Sequence, residues 1–269
     1  MANQDWIEGR LLQDKTIVVT GCSSGIGWET AKLVKALGGD VVGVDINKTE
    51  DHVDELYIAD LSDRMAIKAL VNALPSGIDG IANIAGLPPT APADKVLKVN
   101  LIGLKFFTNA VIGKLNDGAS IVNLASLAGF GWEESIPAIK ASEALAFEDV
   151  EEFIRTYKVG NEGGRSYFFS KEAVVAWTMQ NRWTWRDRGI RMNSVSPAAV
   201  DTPILKDFLD TLGPRGAEGI RLTERPGRAE DIAPVVAFLL SDMTHWIRGT
   251  NIPVDGGMAS HFLTQRHQL

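Results

Sequence analysis

The sequence has a single cysteine, Cys22, so no intrachain disulfide can form. That fits a reducing compartment. Histidine is also scarce. His52, His245, His261 and His267 are the only four, and no His/Cys pair has the spacing of a metal site, so no metal is expected. The G-x-S-x-G elbow of a serine hydrolase is missing. Basic residues are outnumbered, giving a formal net charge of −7. No run of Lys or Arg interrupts that balance, which disfavours nucleic acid and anionic membranes as partners. Long apolar runs are lacking as well, and no stretch reads as the roughly 18 apolar residues of a membrane span. Met1 to Arg10 is polar and lacks the apolar core of a secretion signal. The expected location is the cytoplasm.

The chain is 269 residues long, 45% apolar and 23% charged. That is enough to bury about three quarters of the surface exposed by the unfolded chain. Short β-rich runs recur at Thr16–Val19, Val41–Val44, Tyr57–Ala59, Gly80–Ala85, Ile121–Leu124, Ile190–Ser194 and Asn251–Val254. Several are apolar throughout, the pattern of strands covered on both faces. Between the first two, Ile26, Thr30, Leu33, Val34 and Leu37 recur at helical spacing before Gly38-Gly39 stops the helix. Strand alternating with helix predicts parallel strands joined by right-handed crossovers. The expected fold is α/β: one Rossmann-type, doubly wound sheet of about seven parallel strands, in a single domain over residues 1–269. Residues 1–13 read as an N-terminal extension. Residues 128–166 contain no good strand and read as a helical insertion. Within it, Glu143–Lys158 has the spacing of an amphipathic helix, with Ala146, Val150, Phe153, Ile154 and Tyr157 on one face. Gly160, Gly163 and Gly164 then break the pattern.

Thr20-Gly21-Cys22-Ser23-Ser24-Gly25-Ile26-Gly27 follows the first strand and opens the first helix. Glycines let a backbone turn sharply and approach a pyrophosphate closely. The free N–H groups and dipole of a helix start favour an anion. Asp45 ends the second strand, 20 positions past Gly25, followed by Ile46. A carboxylate there accepts hydrogen bonds from an adenosine ribose and repels a 2′-phosphate, so NAD is expected over NADP. Asp60-Leu61 can border the adenine. Asn83, Ala85 and Gly86, after the fourth strand, bring another small-residue backbone toward the cofactor.

Tyr167 and Lys171 form a Y-x-x-x-K pair, which shares one face of a helix. Hydride chemistry needs a group that exchanges a proton with the substrate oxygen. A free tyrosine has a pKa near 10, and a nearby cation favours the phenolate. Lowering that pKa by about 3 units takes roughly 4 kcal/mol, within reach of Lys171 together with a positive nicotinamide ring.

These landmarks occur in one order with Asn100, Ser126, the Pro197–Pro203 loop and Val254-Asp255-Gly256-Gly257. In that order the sequence resembles the short-chain dehydrogenase/reductase family over about residues 14–258. The resemblance implies an oxidoreductase that interconverts an alcohol and its carbonyl with NAD. It implies Tyr167 as general acid/base and Lys171 as the ribose-binding cation. Ser126 would hydrogen-bond the substrate oxygen, and Asn100 would hold a water in a proton relay. Pro197, Val200 and Thr202 would lie at the nicotinamide end, and Gly21, Ser23, Ser24, Gly25 and Ile26 at the phosphates. Two features depart from the common pattern. Ala198 stands where the family usually has glycine. Ser126 and Tyr167 are also 41 positions apart, much farther than in most members. The insertion and the phrases Ile121-Val122-Asn123 and Lys171-Glu172-Ala173 are most similar to a group of bacterial coniferyl-alcohol dehydrogenases. They are more distantly similar to bacterial 3α-hydroxysteroid dehydrogenase/carbonyl reductases. Both imply a bulky, largely apolar alcohol, with Phe130, Trp132, Ile136, Phe147 and Phe208 as candidate pocket walls. The family also implies a homo-oligomer, with the last strand around Asn251–Ser260 as its expected interface. An inactive cofactor-binding regulator and an epimerase or dehydratase on the same fold are the alternative readings. The presence of Tyr, Lys and Ser weighs against the first. The short stretch after Gly257 weighs against the second.

Overall fold

The computed structural model describes residues 10–269. Most of the expected N-terminal extension, residues 1–9, lies outside the described residues. Seven strands form one sheet: β1 (Thr16–Thr20), β2 (Asp40–Asp45), β3 (Glu55–Ile58), β4 (Ile78–Asn83), β5 (Leu115–Leu124), β6 (Arg191–Pro197) and the last strand, Asn251–Val254. Their spatial order is β3-β2-β1-β4-β5-β6-last, and every neighbouring pair is parallel. The doubly wound expectation holds.

The strands read as apolar throughout because the sheet has a core on each face. Val18, Ile81 and Ile121 point into one core with Phe107 and Phe169. Their neighbours Ile17, Val19, Ala82 and Val122 point into the other, with Val236 and Leu239. The alternation of side chains along a strand thus supplies both cores from one sequence run. The helices Gly25–Ala36 and Ala229–Leu240 cover the second face. Arg64–Ala73, the long run Ala93–Lys114 and Arg165–Gln180 cover the first.

Ala93–Lys114 corrects one expectation. It spans 22 residues and is apolar enough to cross a membrane by length and composition. Here its apolar side, including Val96, Leu97, Leu101 and Phe107, is buried in the core. The run is not one uniform α-helix either: Lys98–Gly103 widens to a π-turn.

Segment 128–166 is helical, but not as expected. Regular helices run Ile136–Ala141 and Val150–Tyr157, while Ser142–Ala144 is a 3₁₀ turn. Leu145 leaves the helical region at φ −62°, ψ 120°. Phe147 drops into the core instead, edge-on to Phe106 at 5.9 Å between centroids and 5.7 Å from the Arg64 guanidinium. Lys158, at φ 54°, ends the helix in the left-handed conformation. The segment is bound to its surroundings by polar contacts. Lys105 Nζ donates to the carbonyls of Ser142 and Glu143 at 2.9 and 3.2 Å. Arg165 donates to Ser135 Oγ at 2.7 Å while forming a two-pronged pair with Glu172 at 2.9 and 2.8 Å.

A buried chain of amides and hydroxyls joins the sheet to the first-face helices. Asn83 Nδ2 donates to Thr108 Oγ1 and to Asn123 Oδ1, both at 2.9 Å. Asn123 Nδ2 donates to Thr178 Oγ1 at 3.0 Å. The two threonine hydroxyls donate back to their own helix carbonyls, Leu104 and Val174. Asn83 and Asn123 are register partners on β4 and β5, so the chain crosses both strands at one level. Removing one member leaves buried polar groups without partners. Asn123→Ala should therefore lower unfolding free energy by about 2–4 kcal/mol in urea titration. A loss within about 0.5 kcal/mol, the usual size at a surface site, would contradict this account.

Candidate active site

The strand order reverses between β1 and β4, so crossovers leave those two strands in opposite directions and a crevice opens above their C-terminal ends. A cavity of about 410 Å³ fills it. One end is lined by Asp45, Ile46, Asn47, Asp60, Leu61 and Ser62, the middle by Gly21 and Ser23–Gly27, and the other end by Leu124, Thr202, Pro203 and Ile204. Ala85, Gly86 and Leu87 form a further wall.

The glycine turn is shaped by close approach. A Cβ on Gly21, which sits at φ +74°, would lie 2.9 Å from the Ala85 backbone. One on Gly27 would lie 2.0 Å from the Gly21 carbonyl oxygen. The helix that follows starts after Ser24, whose side chain makes no capping hydrogen bond, so the first-turn N–H groups have no side-chain acceptor there. Asp45 Oδ2 accepts from the Ser23 N–H at 3.0 Å and Oδ1 from the Asn47 N–H at 2.9 Å. Each carboxylate oxygen keeps acceptor capacity beyond those single bonds. A long cleft with a phosphate-sized turn in the middle and a carboxylate toward one end fits a dinucleotide.

Ser126, Tyr167, Lys171 and Asn100 stand just behind the Leu124 end. Lys171 Nζ donates to the Leu124 carbonyl at 2.7 Å and lies 5.6 Å from the Tyr167 ring centroid. Ser126 hydrogen-bonds Tyr167. Its Oγ also accepts from the Ala128 N–H at 3.1 Å, so the same hydroxyl caps the turn after β5 and touches the phenol. Asn100 sits on the π-turn. Its amide donates to the Leu87 carbonyl at 3.0 Å and accepts from the Leu87 N–H at 2.7 Å. The structure therefore shows Asn100 gripping a cavity wall.

Burial sets the starting protonation of Tyr167 and Lys171. Burial pushes the Tyr167 phenol up to about 12, against an opposing pull from the Ser126 hydrogen bond. Burial likewise pushes the Lys171 ammonium down to about 8. Both groups are almost wholly enclosed, and loss of solvent disfavours the charged form of each.

Other expected contacts are redistributed. Asn83 does not line the cavity; its amide belongs to the buried chain described above. Pro197 ends β6, and Val200 pairs with Gly227 in a small two-stranded ribbon. Neither lines the cavity, whereas Thr202 does. Ala198 borders a second, smaller cavity beside Val254 and Asp255. Among the candidate walls, Phe208 stands edge-on to the Tyr167 ring at 4.9 Å between centroids. Trp132 packs against the core, Phe147 lies within it, and Phe130 meets Phe262 at 5.9 Å. Sequence reading passed over Thr20, whose Oγ1 accepts from the N–H groups of Ile84 and Ala85 at 3.0 and 3.1 Å. It also passed over Leu87, Lys95 and Leu124, which carry no motif of their own.

A family model described as short chain dehydrogenase matches residues 15–144. A second, described as enoyl-(acyl carrier protein) reductase, matches residues 153–259. The coniferyl-alcohol dehydrogenase of Pseudomonas sp. (strain HR199 / DSM 7063) is 39% identical over 255 residues, covering 94% of this chain and 99% of its own. The chain belongs to the short-chain dehydrogenase family. Another relative of this short-chain dehydrogenase is the 3-alpha-hydroxysteroid dehydrogenase/carbonyl reductase of Comamonas testosteroni, at 32% identity over 90% of this chain and 95% of the other. In structure, the 3-alpha-hydroxysteroid dehydrogenase from Pseudomonas sp. B-0831, solved with NADH, aligns with a TM-score of 0.79 at 27% identity, covering 92% of this chain and 98% of that one.

Among the described residues of this short-chain dehydrogenase, Ser126 is the contact that pulls the Tyr167 phenol toward ionisation. A phenol held above neutral pH keeps its proton, so the step that needs phenolate must quicken as pH rises. Any oxidoreductase turnover that draws on the phenolate is expected to climb through the alkaline range. Ser126→Ala should displace that limb to higher pH as well as lowering its plateau. Initial rates from pH 6 to 11 test this, and a limb displaced toward acid in Ser126→Ala would refute the coupling.

Proposed function

We propose that this protein is an NAD-dependent oxidoreductase that interconverts a bulky, ring-bearing alcohol and its carbonyl. What supports this reading is that Lys171 bonds the carbonyl of Leu124, which lines one end of a dinucleotide-shaped cavity, with Ser126 and Tyr167 beside it and Asp45 lining the other end. A bound nicotinamide supplies the hydride acceptor for oxidation and the donor for reduction. The chain's own residues handle the proton. Tyr167 Oη takes it from the alcohol or gives it to the carbonyl oxygen, and Ser126 Oγ hydrogen-bonds that oxygen. Lys171 places a cation beside the phenol and within reach of a ribose. Asp45 favours NAD because its carboxylate accepts from a 2′-hydroxyl and repels a 2′-phosphate.

Tyr167→Phe should cut turnover by about three orders of magnitude, within the range of general acid–base catalysis, while NAD binding stays close to wild type. NAD should bind wild-type protein more tightly than NADP, and Asp45→Ala should erode that preference by about 1–3 kcal/mol. Stopped assays with both cofactors and both variants decide the matter. Retention of more than about a tenth of the activity by Tyr167→Phe would remove Tyr167 as the base.

The substrate class rests on Phe208 and on the printed names of the two relatives above, which describe ring-bearing alcohols. Phe208 belongs to the helix Leu205–Leu212, which has no fully buried residue. Truncating it should leave the fold intact. Phe208→Ala should lower kcat/KM for aryl and alicyclic alcohols by about tenfold relative to small alcohols, the size of losing a few methylene-equivalents of contact. Equal losses for all alcohols, or a large fall in Tm, would assign Phe208 to packing.

A further inference from the structure

The ionised side chains lining the main cavity are Asp45, Asp60 and Lys95, so among the described residues Lys95 is its one cationic wall. Lys95 lies on the first turn of the helix Ala93–Leu97 and is exposed. Its Nζ reaches across to Ser62 Oγ at 3.4 Å, on the opposite wall, next to Asp60 and Leu61. The side chain therefore spans the mouth of the cavity at the end away from Tyr167. Its neighbours behave differently. Lys98 is paired with Asp94 at 3.3 Å, and Lys105 is spent on the carbonyls of Ser142 and Glu143. Lys95 has no carboxylate partner among the described residues and only one long hydrogen bond. Its ammonium is thus a donor with capacity to spare at the rim of a cavity whose other charges are negative.

Resting on the dinucleotide reading above, we propose that Lys95 determines affinity for the adenosine half of the cofactor, closing over the purine and donating to its acceptor nitrogens. A dinucleotide brings two phosphate charges into a cavity that already holds two carboxylates. Without Lys95 the lining side chains would add only repulsion. The ammonium offsets Asp60 at the same end where the purine lies, and its long stem covers the ring without fixing the mouth shut.

The test is binding of NAD, AMP and nicotinamide mononucleotide, measured by calorimetry on full-length protein. Lys95→Ala should weaken NAD and AMP by about tenfold, the loss of one charge-assisted hydrogen bond, and leave nicotinamide mononucleotide unchanged. Lys95→Arg should recover most of the loss, and added salt should narrow the gap between wild type and Lys95→Ala. Lys98→Ala, one turn on in the run Ala93–Lys114, serves as the control and should match wild type. An NAD affinity in Lys95→Ala within about twofold of wild type would overturn the proposal, since Lys95 would then not determine affinity. Equal weakening of AMP and nicotinamide mononucleotide would also overturn it, by showing a general disturbance of the cavity. Wild-type protein that binds no NAD would refute the dinucleotide reading itself, a result distinct from either of these.

Discussion

β1 and β4 lie side by side, yet the chain leaves them in opposite directions, and a single hydroxyl secures the gap that results. Thr20 Oγ1 accepts from two successive N–H groups, Ile84 and Ala85. Those groups have passed the end of the β4 ladder and would otherwise be unpaired in a nearly dry place. The bond holds the loop after β4 against the glycine turn after β1, so closely that Gly21 has no room for a Cβ. Everything functional is built outward from that junction. On one side the turn runs into the helix Gly25–Ala36, and Asp45 accepts from Ser23 to fix the turn from β2. On the other side the loop continues through Gly86 to Leu87, where Asn100 grips it at both backbone groups. The cavity is the space these constraints leave.

The helix Arg165–Gln180, which carries Tyr167 and Lys171, is positioned by a different means. Parallel strands cannot specify how far a covering helix lies along the sheet through apolar contacts alone, since such contacts are non-directional. The Asn83–Asn123–Thr178 chain is directional and buried, and each member has its partners. It fixes Arg165–Gln180 lengthwise against β5, and Lys171, two helical turns before Thr178, then meets the carbonyl of Leu124 at the end of that strand. On the outer side, Arg165 binds Glu172 seven residues on and Ser135 from the segment before the helix. Tyr167 and Lys171 lie between these two anchors, so their relative placement is inherited from the strand register.

Much of this was legible in the sequence, because the informative patterns were local. Apolar runs, the glycine turn, Asp45 at a strand end and the four-residue step from Tyr167 to Lys171 all report a local geometry. The failures came where the deciding partner is distant in sequence. Ala146, Val150, Phe153 and Tyr157 have helical spacing, but Phe147 finds Phe106 and Arg64, and that burial breaks the helix at Leu145. Asn83 looked like a cofactor contact because it precedes small residues at a strand end. Only the register that sets it opposite Asn123 shows its amide to be structural. Lys95 had no signal at all, being one of several lysines on an apolar helix, and only the turn of that helix places it over the cavity.

Charge is where spacing says least. The shared helix face of Tyr167 and Lys171 implies a lowered phenol pKa only together with a positive nicotinamide ring. Spacing says nothing about solvent, and both groups are almost completely enclosed. Enclosure acts on them in the same sense, toward neutrality: the phenol holds its proton and the ammonium gives its proton up more easily. A neutral phenol beside Ser126 is already suited to donate to a carbonyl oxygen. On the function proposed above, the opposite direction calls for phenolate, which charge placed at the same end of the cavity would favour. The ionisation of Tyr167 is in that sense coupled to what occupies the cleft. Tyr167 is then neutral when alone and more readily ionised when positive charge lies beside it.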